Sequence, residues 1–105
     1  MRAFYADLLG LEEIPVPATL NDRRLVWFSA GSGGLEIHFF PGEVDQENRS
    51  HICLDVADVD AVRRRLEQGA YSPYAATPIP NRPRFFCRDP FGNLLEFTTI
   101  KGDYR

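Results

Sequence analysis

The stretch HICLDVADVDAVRRRLEQG, residues 51–69, sets out a strand followed directly by a helix. Apolar residues alternate through its first six positions, which is typical of a half-buried strand. Asp58 is a suitable N-cap, and Gly69 ends an amphipathic pattern. The apolar stripe of that pattern consists of Val59, Val62 and Leu66. We therefore predict a strand at 51–56 and a capped helix after it.

The rest of the chain holds one more helix and several strands. Apolar residues at helical spacing near the N-terminus predict a first helix, and Gly10 stands where that helix would end. Apolar and aromatic runs predict further strands at 24–30, 35–40, 84–88 and 94–100. A short extended segment is expected after each helix. The Pro-rich stretch TPIPNRP, residues 77–83, is predicted to be a loop.

The two halves of the chain resemble each other at a shift of about 60 residues. The matching pairs are Asn21 with Asn81, Arg24 with Arg84, Leu35 with Leu95, and Glu36 with Glu96. The chain is therefore interpreted as two copies of one helix-plus-strands unit. In the second copy the strand HICLDV precedes the helix, whereas no strand precedes the first helix. From the repeat we expect that this polypeptide begins one strand late.

Length and composition restrict the classes of function. A chain of 105 residues is expected to form one domain, residues 1–105. Its composition, with 44% hydrophobic and 26% charged residues, is ordinary for a globular protein without a membrane span. A net charge of −3 argues against nucleic acid as a partner. Cys53 and Cys87 lack a metal-binding or redox spacing, and we expect no signal peptide. These features predict reduced thiols and a cytoplasmic location.

Side chains that alternate along three strands present acidic and imidazole groups to one common face. Glu36, His38 and Phe40 share a face of LEIHFF, residues 35–40. His51 and Glu96 each lie opposite the apolar set of their own strands. One imidazole with two carboxylates suits a divalent metal such as Zn, Ni, Fe, Mn or Co. The predicted ligands are therefore His51, Glu96 and either Glu36 or His38.

These polar residues also have a plainer interpretation. A single histidine on a strand is more often a hydrogen-bonded structural residue than a ligand, and a glutamate on a solvated sheet face needs no special role. The repeat favours the metal site, because two carboxylates at equivalent positions of a pseudo-twofold arrangement converge naturally.

Arginines and aromatic residues are candidates for substrate binding. Arg24 and Arg84 occupy matching positions near strand starts and could clamp an anionic substrate, although exposed strand arginines are common. Trp27 and Phe40 could line a pocket, although many aromatic residues of this kind belong to the core.

Five stretches of this chain carry a family pattern. They are AFYADLLGL at 3–11, VWF at 26–28, LEIHFF at 35–40, HICLDVADVDAVRRRLEQG at 51–69 and RFFCRDPFGNLLEF at 84–97. Together they resemble the glyoxalase, bleomycin resistance protein and extradiol dioxygenase group, the vicinal oxygen chelate superfamily. The resemblance implies an α+β fold, in which paired βαβββ modules form a curved mixed sheet around a metal or ligand. Residues 1–42 would be a truncated first module and residues 50–101 the second.

The resemblance also implies roles for individual residues. His51 and Glu96 fall on ligand positions of the second module, and Glu36 or His38 falls on the ligand position of the first. A fourth ligand would come from the strand that the chain lacks. In an isomerase-like reaction, Glu36 or Glu96 would alternate between ligand and general base. A homodimer is expected, because a missing strand leaves an unpaired sheet edge.

The resemblance leaves several functions open. The main prediction is a metal-dependent lyase or isomerase that acts on a small oxygen-chelating substrate, and an extradiol dioxygenase is ranked lower. The alternatives are a metal-free dimer that sequesters small molecules such as antibiotics, and an inactive truncated remnant.

Overall fold

The computed structural model describes residues 1–31 and 34–103, without the side chains of 21–23. The chain divides into two compact units, residues 1–43 and residues 44–105. Each unit contains one packed layer of helix and one β-sheet. The predicted α+β class is therefore confirmed.

The first unit places a short helix beside a three-stranded antiparallel sheet. Its elements are a helix at Ala3–Leu8, β1 at Glu12–Ile14, a 3₁₀ turn at Ala18–Arg23, β2 at Val26–Ala30 and β3 at Leu35–Phe39. The strand order is β1-β2-β3. Phe4, Tyr5 and Phe28 are fully buried, and the Tyr5 ring lies 4.7 Å from that of Phe39. Aromatic packing therefore forms the core of this unit.

The first helix ends at the predicted glycine. The Leu9 N–H donates to the carbonyl of Phe4, five residues back, so the helix is wider than an α-helix. Gly10 has φ +78°, and the following Leu11 N–H donates to the Tyr5 carbonyl. Such a reversal needs a left-handed residue after the last turn, which glycine adopts without steric cost.

The second unit has the order strand, helix, strand, strand, strand. Its elements are β4 at His51–Asp55, α1 at Val59–Gln68, β5 at Tyr74–Ala75, β6 at Arg84–Arg88 and β7 at Leu94–Thr98. The sheet order is β4-β7-β6-β5, with β4 parallel to β7 and the other pairs antiparallel. Leu66, Phe85, Leu95 and Phe97 are almost completely buried. The apolar stripe of α1 and one face of the sheet thus form this core.

The boundaries of α1 follow from its capping residues. The Asp58 carboxylate accepts hydrogen bonds from the N–H groups of Asp60 and Ala61, both at 3.1 Å. The three residues of the predicted stripe are buried, as expected. At the other end the left-handed residue is Ala70, with φ +67°, while Gly69 has φ −82°. The glycine therefore ends the helix one position before the chain reverses.

Strand β4 is less buried than its alternating pattern predicts. It is the last strand at one side of its sheet, and Ile52, expected in the core, is 41% exposed. Its neighbour β7, which is paired on both sides, is buried along nearly its whole length. The alternation identified the faces of β4 correctly but could not show that the strand lies at an edge.

The turn between β6 and β7 is built around a buried carboxylate. Asp89 accepts hydrogen bonds from the main-chain N–H groups of Phe91 and Asn93 and from the Asn93 side chain, at 2.8 to 2.9 Å. Gly92 has φ +94°, and the side chain of Gln46 packs directly on it. A side chain at position 92 would therefore push the end of the Gln46 side chain aside, and it would be strained at this φ in any residue other than glycine.

Candidate functional site

His51 and Glu96 meet on the polar face of the second sheet. In the parallel register of β4 and β7, Cys53 lies opposite Glu96, and His51 precedes Cys53 by two residues on the same face. His51 Nε2 lies 2.9 Å from Glu96 Oε1. The two side chains are 30% and 13% exposed, respectively. The predicted imidazole and carboxylate therefore share one partly buried site.

The other nitrogen of His51 determines what the pair can bind. His51 Nδ1 lies 2.9 Å from the main-chain carbonyl of Arg49. Because a carbonyl oxygen only accepts hydrogen bonds, Nδ1 carries the hydrogen of this contact. In the neutral ring the Nε2 lone pair then faces a carboxylate oxygen. Two acceptors at this distance need a shared cation, which is either a proton or a metal ion.

Arg84 contacts the second oxygen of the same carboxylate. Its Nη1 atom lies 3.2 Å from Glu96 Oε2. Its Nε and Nη2 atoms donate to the main-chain carbonyl of Thr77, at 3.1 and 2.8 Å. The Arg84 side chain is only 14% exposed. Each oxygen of Glu96 therefore contacts a different nitrogen atom.

Cys53 lies beside this carboxylate as a protonated thiol. The residue as a whole is exposed, but its sulfur is partly buried against Glu96. Partial burial, followed by the negative charge of Glu96 and a hydrogen bond to it, raises the pKa of Cys53 to about 11. A thiolate would be the metal-binding form, so Cys53 is a poor ligand near neutral pH. Cys53 and Cys87 are both free cysteines in the structure.

An aromatic surface borders the His51–Glu96 pair. The Phe86 ring makes an edge-to-face contact with His51 at 5.0 Å and is stacked with Tyr74 at 5.7 Å. The guanidinium of Arg84 lies 5.5 Å from the centre of the same ring. Tyr74 itself is exposed. Tyr74 and the carbonyls of Arg49 and Thr77 were not predicted, because loop conformation and a two-residue strand leave little signal in the sequence.

Three of the site residues predicted in the first unit, Trp27, Glu36 and His38, form a cluster of their own. Glu36 Oε1 lies 2.9 Å from His38 Nε2, and both side chains are exposed. The indole ring of Trp27 stacks on the His38 imidazole, with the ring centres 3.5 Å apart and the planes within 3°. Phe40 follows the end of β3 and is largely exposed. His38 is therefore held by a ring on one side and a carboxylate on its edge.

The expected equivalence of Arg24 and Arg84 is wrong. Arg84 begins β6, whereas Arg24 precedes β2, is exposed and has φ +54°. Glu36 pairs with Ser29, and Glu96 pairs with Phe86. If the two glutamates are equivalent, then Ser29 corresponds to Phe86. Trp27 and Arg84, each two residues earlier on its strand, then correspond to each other. A single shift of 60 residues misses this, because Phe86 lies ten positions before its partner Glu96, whereas Ser29 lies only seven positions before its partner Glu36.

The donors needed for a metal ion are only partly assembled within the described residues. Across 1–31 and 34–103, no group of three or more His, Cys, Asp or Glu side chains is arranged to hold an ion. His51 and Glu96 supply one nitrogen and one oxygen donor with suitable chemistry. Participation of Glu36 or His38 stays a prediction. None of the described helices has both the length and the apolar composition required to cross a membrane.

The sequence and the fold place this chain in a known class of protein. A model of the Glyoxalase/Bleomycin resistance protein/Dioxygenase superfamily matches residues 1–97. Since the match includes most of the chain, the protein belongs to this superfamily. A comparison with curated proteins found no significant match.

Solved structures of the same fold cover nearly the whole chain. A protein of the glyoxalase family from Bacillus anthracis is 34% identical, with a TM-score of 0.82 over 95% of this chain and 81% of that chain. Lactoylglutathione lyase from Agrobacterium tumefaciens is 25% identical, with a TM-score of 0.67 over 95% and 83%. The fosfomycin resistance protein FosX from Listeria monocytogenes, complexed with Mn(II) and sulfate, is 20% identical, with a TM-score of 0.71 over 92% and 76%.

Proposed function

We propose that this protein is a metal-dependent lyase or isomerase that acts on a small substrate with two neighbouring oxygens. Its His51 and Glu96 would hold a divalent ion. Superfamily membership and the likeness to a lactoylglutathione lyase support this class of reaction. A divalent ion in such a site polarises the substrate oxygens.

The observation that carries the proposal is the direction of the His51 lone pair. The Arg49 carbonyl fixes the hydrogen on Nδ1, so that Nε2 is left to face Glu96 Oε1 at 2.9 Å. Histidines that bind metals typically donate their other ring nitrogen to a carbonyl or carboxylate in this way. The ring is therefore already oriented for coordination, and neutral imidazole with carboxylate suits a divalent transition metal.

Metal content is the direct test of this function. The protein is purified without chelator, loaded with Mn²⁺, and its metal is measured per chain. We use Mn²⁺ because FosX, which shares the fold, is complexed with Mn(II). We expect stoichiometric metal in the wild type and its loss in His51→Ala and Glu96→Gln.

A matched control separates loss of a ligand from loss of charge. Glu67 is exposed on α1, so Glu67→Gln removes one carboxylate away from the site and should leave the metal content unchanged. Wild-type protein that binds no divalent metal would contradict the proposal. The variants Glu36→Gln and His38→Ala test in the same assay whether the first unit supplies a further ligand.

A second candidate function has support from the aromatic surface at the site. Phe86 and the exposed Tyr74 present stacked rings next to His51. Flat apolar ligands bind well to such surfaces. A metal-free protein that sequesters small molecules, acting as a homodimer in the cytoplasm, would show saturable binding of a planar antibiotic without metal. Tyr74→Ala should weaken that binding.

A further inference from the structure

We propose that Arg84 is a positioning residue, which fixes Glu96 as a ligand through one oxygen and does not clamp the substrate. This rests on the proposed function, since it describes how one ligand of the ion is held. It replaces the expected role of Arg84 in binding an anionic substrate. It also replaces the expectation that Glu96 alternates between ligand and general base.

Each of the three guanidinium nitrogens of Arg84 donates a hydrogen bond within the protein. Its Nε and Nη2 atoms form one edge of the guanidinium, and both donate to the carbonyl of Thr77. Its Nη1 atom on the opposite side reaches Glu96 Oε2 at 3.2 Å. The side chain is 14% exposed and lies against the ring of Phe86. Because each nitrogen is bonded within the protein and the side chain is largely buried, little of the guanidinium is left to bind a substrate anion.

The loop between β5 and β6 fixes the position of this guanidinium. Residues Ile79 and Arg82 form a β-bridge, in which the Arg82 N–H donates to the Ile79 carbonyl at 3.1 Å. The Pro83 carbonyl accepts from the hydroxyl of Thr98 on β7. These two contacts hold the Pro-rich loop in place after Thr77. The Thr77 carbonyl is therefore fixed in position to accept hydrogen bonds from the planar guanidinium of Arg84.

As a consequence, the two carboxylate oxygens of Glu96 have different roles. Oε2 is held by Arg84, and Oε1 is directed at His51 Nε2, where the ion would bind. A carboxylate held at both oxygens cannot turn away to collect a proton from the substrate. Glu96 therefore acts as a ligand of fixed orientation, and proton transfer falls to a different group.

Titration with Mn²⁺ alone tests this assignment in the metal-bound protein. Arg84→Met keeps the apolar stem over Phe86 but removes the fork, and we expect Mn²⁺ affinity to fall roughly 10- to 100-fold, as for other supporting residues at metal sites. Arg84→Lys should recover part of that loss, because a single ammonium can reach only one of the two anchors. Arg64 is exposed on α1, so Arg64→Met should bind Mn²⁺ like the wild type. Unchanged affinity in Arg84→Met would overturn the assignment.

A double-mutant cycle in the metal-free protein gives a second, independent test. Removal of Arg84 leaves the mostly buried Glu96 carboxylate without its cation, whereas Glu96→Gln removes that charge in advance. Arg84→Met should raise the equilibrium constant for unfolding in both backgrounds. We therefore expect this increase to be several-fold smaller in the Glu96→Gln background than in the wild type. Additive effects would overturn the role of Arg84. Coupling in a protein that binds no metal would support the role of Arg84 and refute the proposed function instead.

Discussion

The carboxylate of Glu96 is stable within an apolar strand because three neighbours meet it. His51 and Arg84 contact its two oxygens, and the thiol of Cys53 lies beside it. A carboxylate with 13% exposure would cost several kcal/mol if it were unpaired. Strand β7 can therefore hold the Glu96 carboxylate only when these partners are in place. Loss of a partner should lower the stability of the second sheet as well as disturb the site.

The thiol of Cys53 should report on the charge of Glu96. Its pKa of about 11, against an ordinary 9.0, means that the thiolate fraction at pH 8 is about a hundredfold smaller than in a free cysteine. Because the thiolate is the reactive form, alkylation by iodoacetamide should rise about tenfold per pH unit and continue to rise beyond pH 9. Glu96→Gln lowers the pKa and should speed alkylation at pH 8.

One control variant and two contradicting outcomes define this measurement. Cys53→Ser should abolish the reaction, since Cys87 is fully buried. A rate that levels off near pH 9 in the wild type would contradict the raised pKa, and an unchanged rate in Glu96→Gln would contradict the influence of Glu96.

Residue-level prediction from sequence succeeded where strand geometry alone decides the outcome. Alternation along β4 and β7 predicted that His51 and Glu96 share a face, and they lie 2.9 Å apart. The same reasoning could not predict the partners of Arg84. Those depend on a main-chain carbonyl in a loop, whose conformation is set by packing and not by a periodic pattern.

At the scale of elements, the end of α1 stores a small amount of strain. Ala70 adopts φ +67°, which costs a residue with a β-carbon roughly 1 kcal/mol relative to glycine. Ala70→Gly should therefore raise the free energy of unfolding by about 0.5 to 1 kcal/mol. Ala61→Gly within α1 is the matched control, and it should lower stability by about 1 kcal/mol. Urea denaturation measures both, and destabilisation by Ala70→Gly would contradict the left-handed assignment.

Helices and strands were predictable to different degrees. Asp58 and the apolar stripe of α1 determined that helix within one or two residues, because capping and periodicity are local signals. The internal repeat was visible in the sequence, but its register was not. Unequal connections between β2 and β3 and between β6 and β7 shift the ladders, so that Trp27 and not Arg24 corresponds to Arg84.

At the scale of the whole molecule, two edge strands present apolar side chains to solvent. Leu35 on β3 is 59% exposed, and Ile52 on β4 is 41% exposed. Open sheet edges with such residues favour association between chains. We therefore expect a homodimer at micromolar concentration, measured by size-exclusion chromatography with light scattering.

Leu35→Arg tests this assembly. Burial of one leucine contributes about 1.5 to 3 kcal/mol, so the substitution should raise the dissociation constant of the dimer at least about tenfold. Phe91 is similarly exposed, at 56%, on the turn of the second unit, and Phe91→Arg serves as the control that leaves the dimer intact. A wild-type protein that elutes as a monomer would refute the expectation.

Trp27, which stacks on His38, gives the protein a fluorescence signal that comes from the first unit. Trp27 is the sole tryptophan of the chain, and it belongs to residues 1–43. Its fluorescence therefore senses the loosening of that half alone, whereas far-ultraviolet circular dichroism senses the backbone of both halves. Superimposable melting curves from the two signals would reveal that both halves melt in one cooperative step, and separated curves would reveal that each melts by itself.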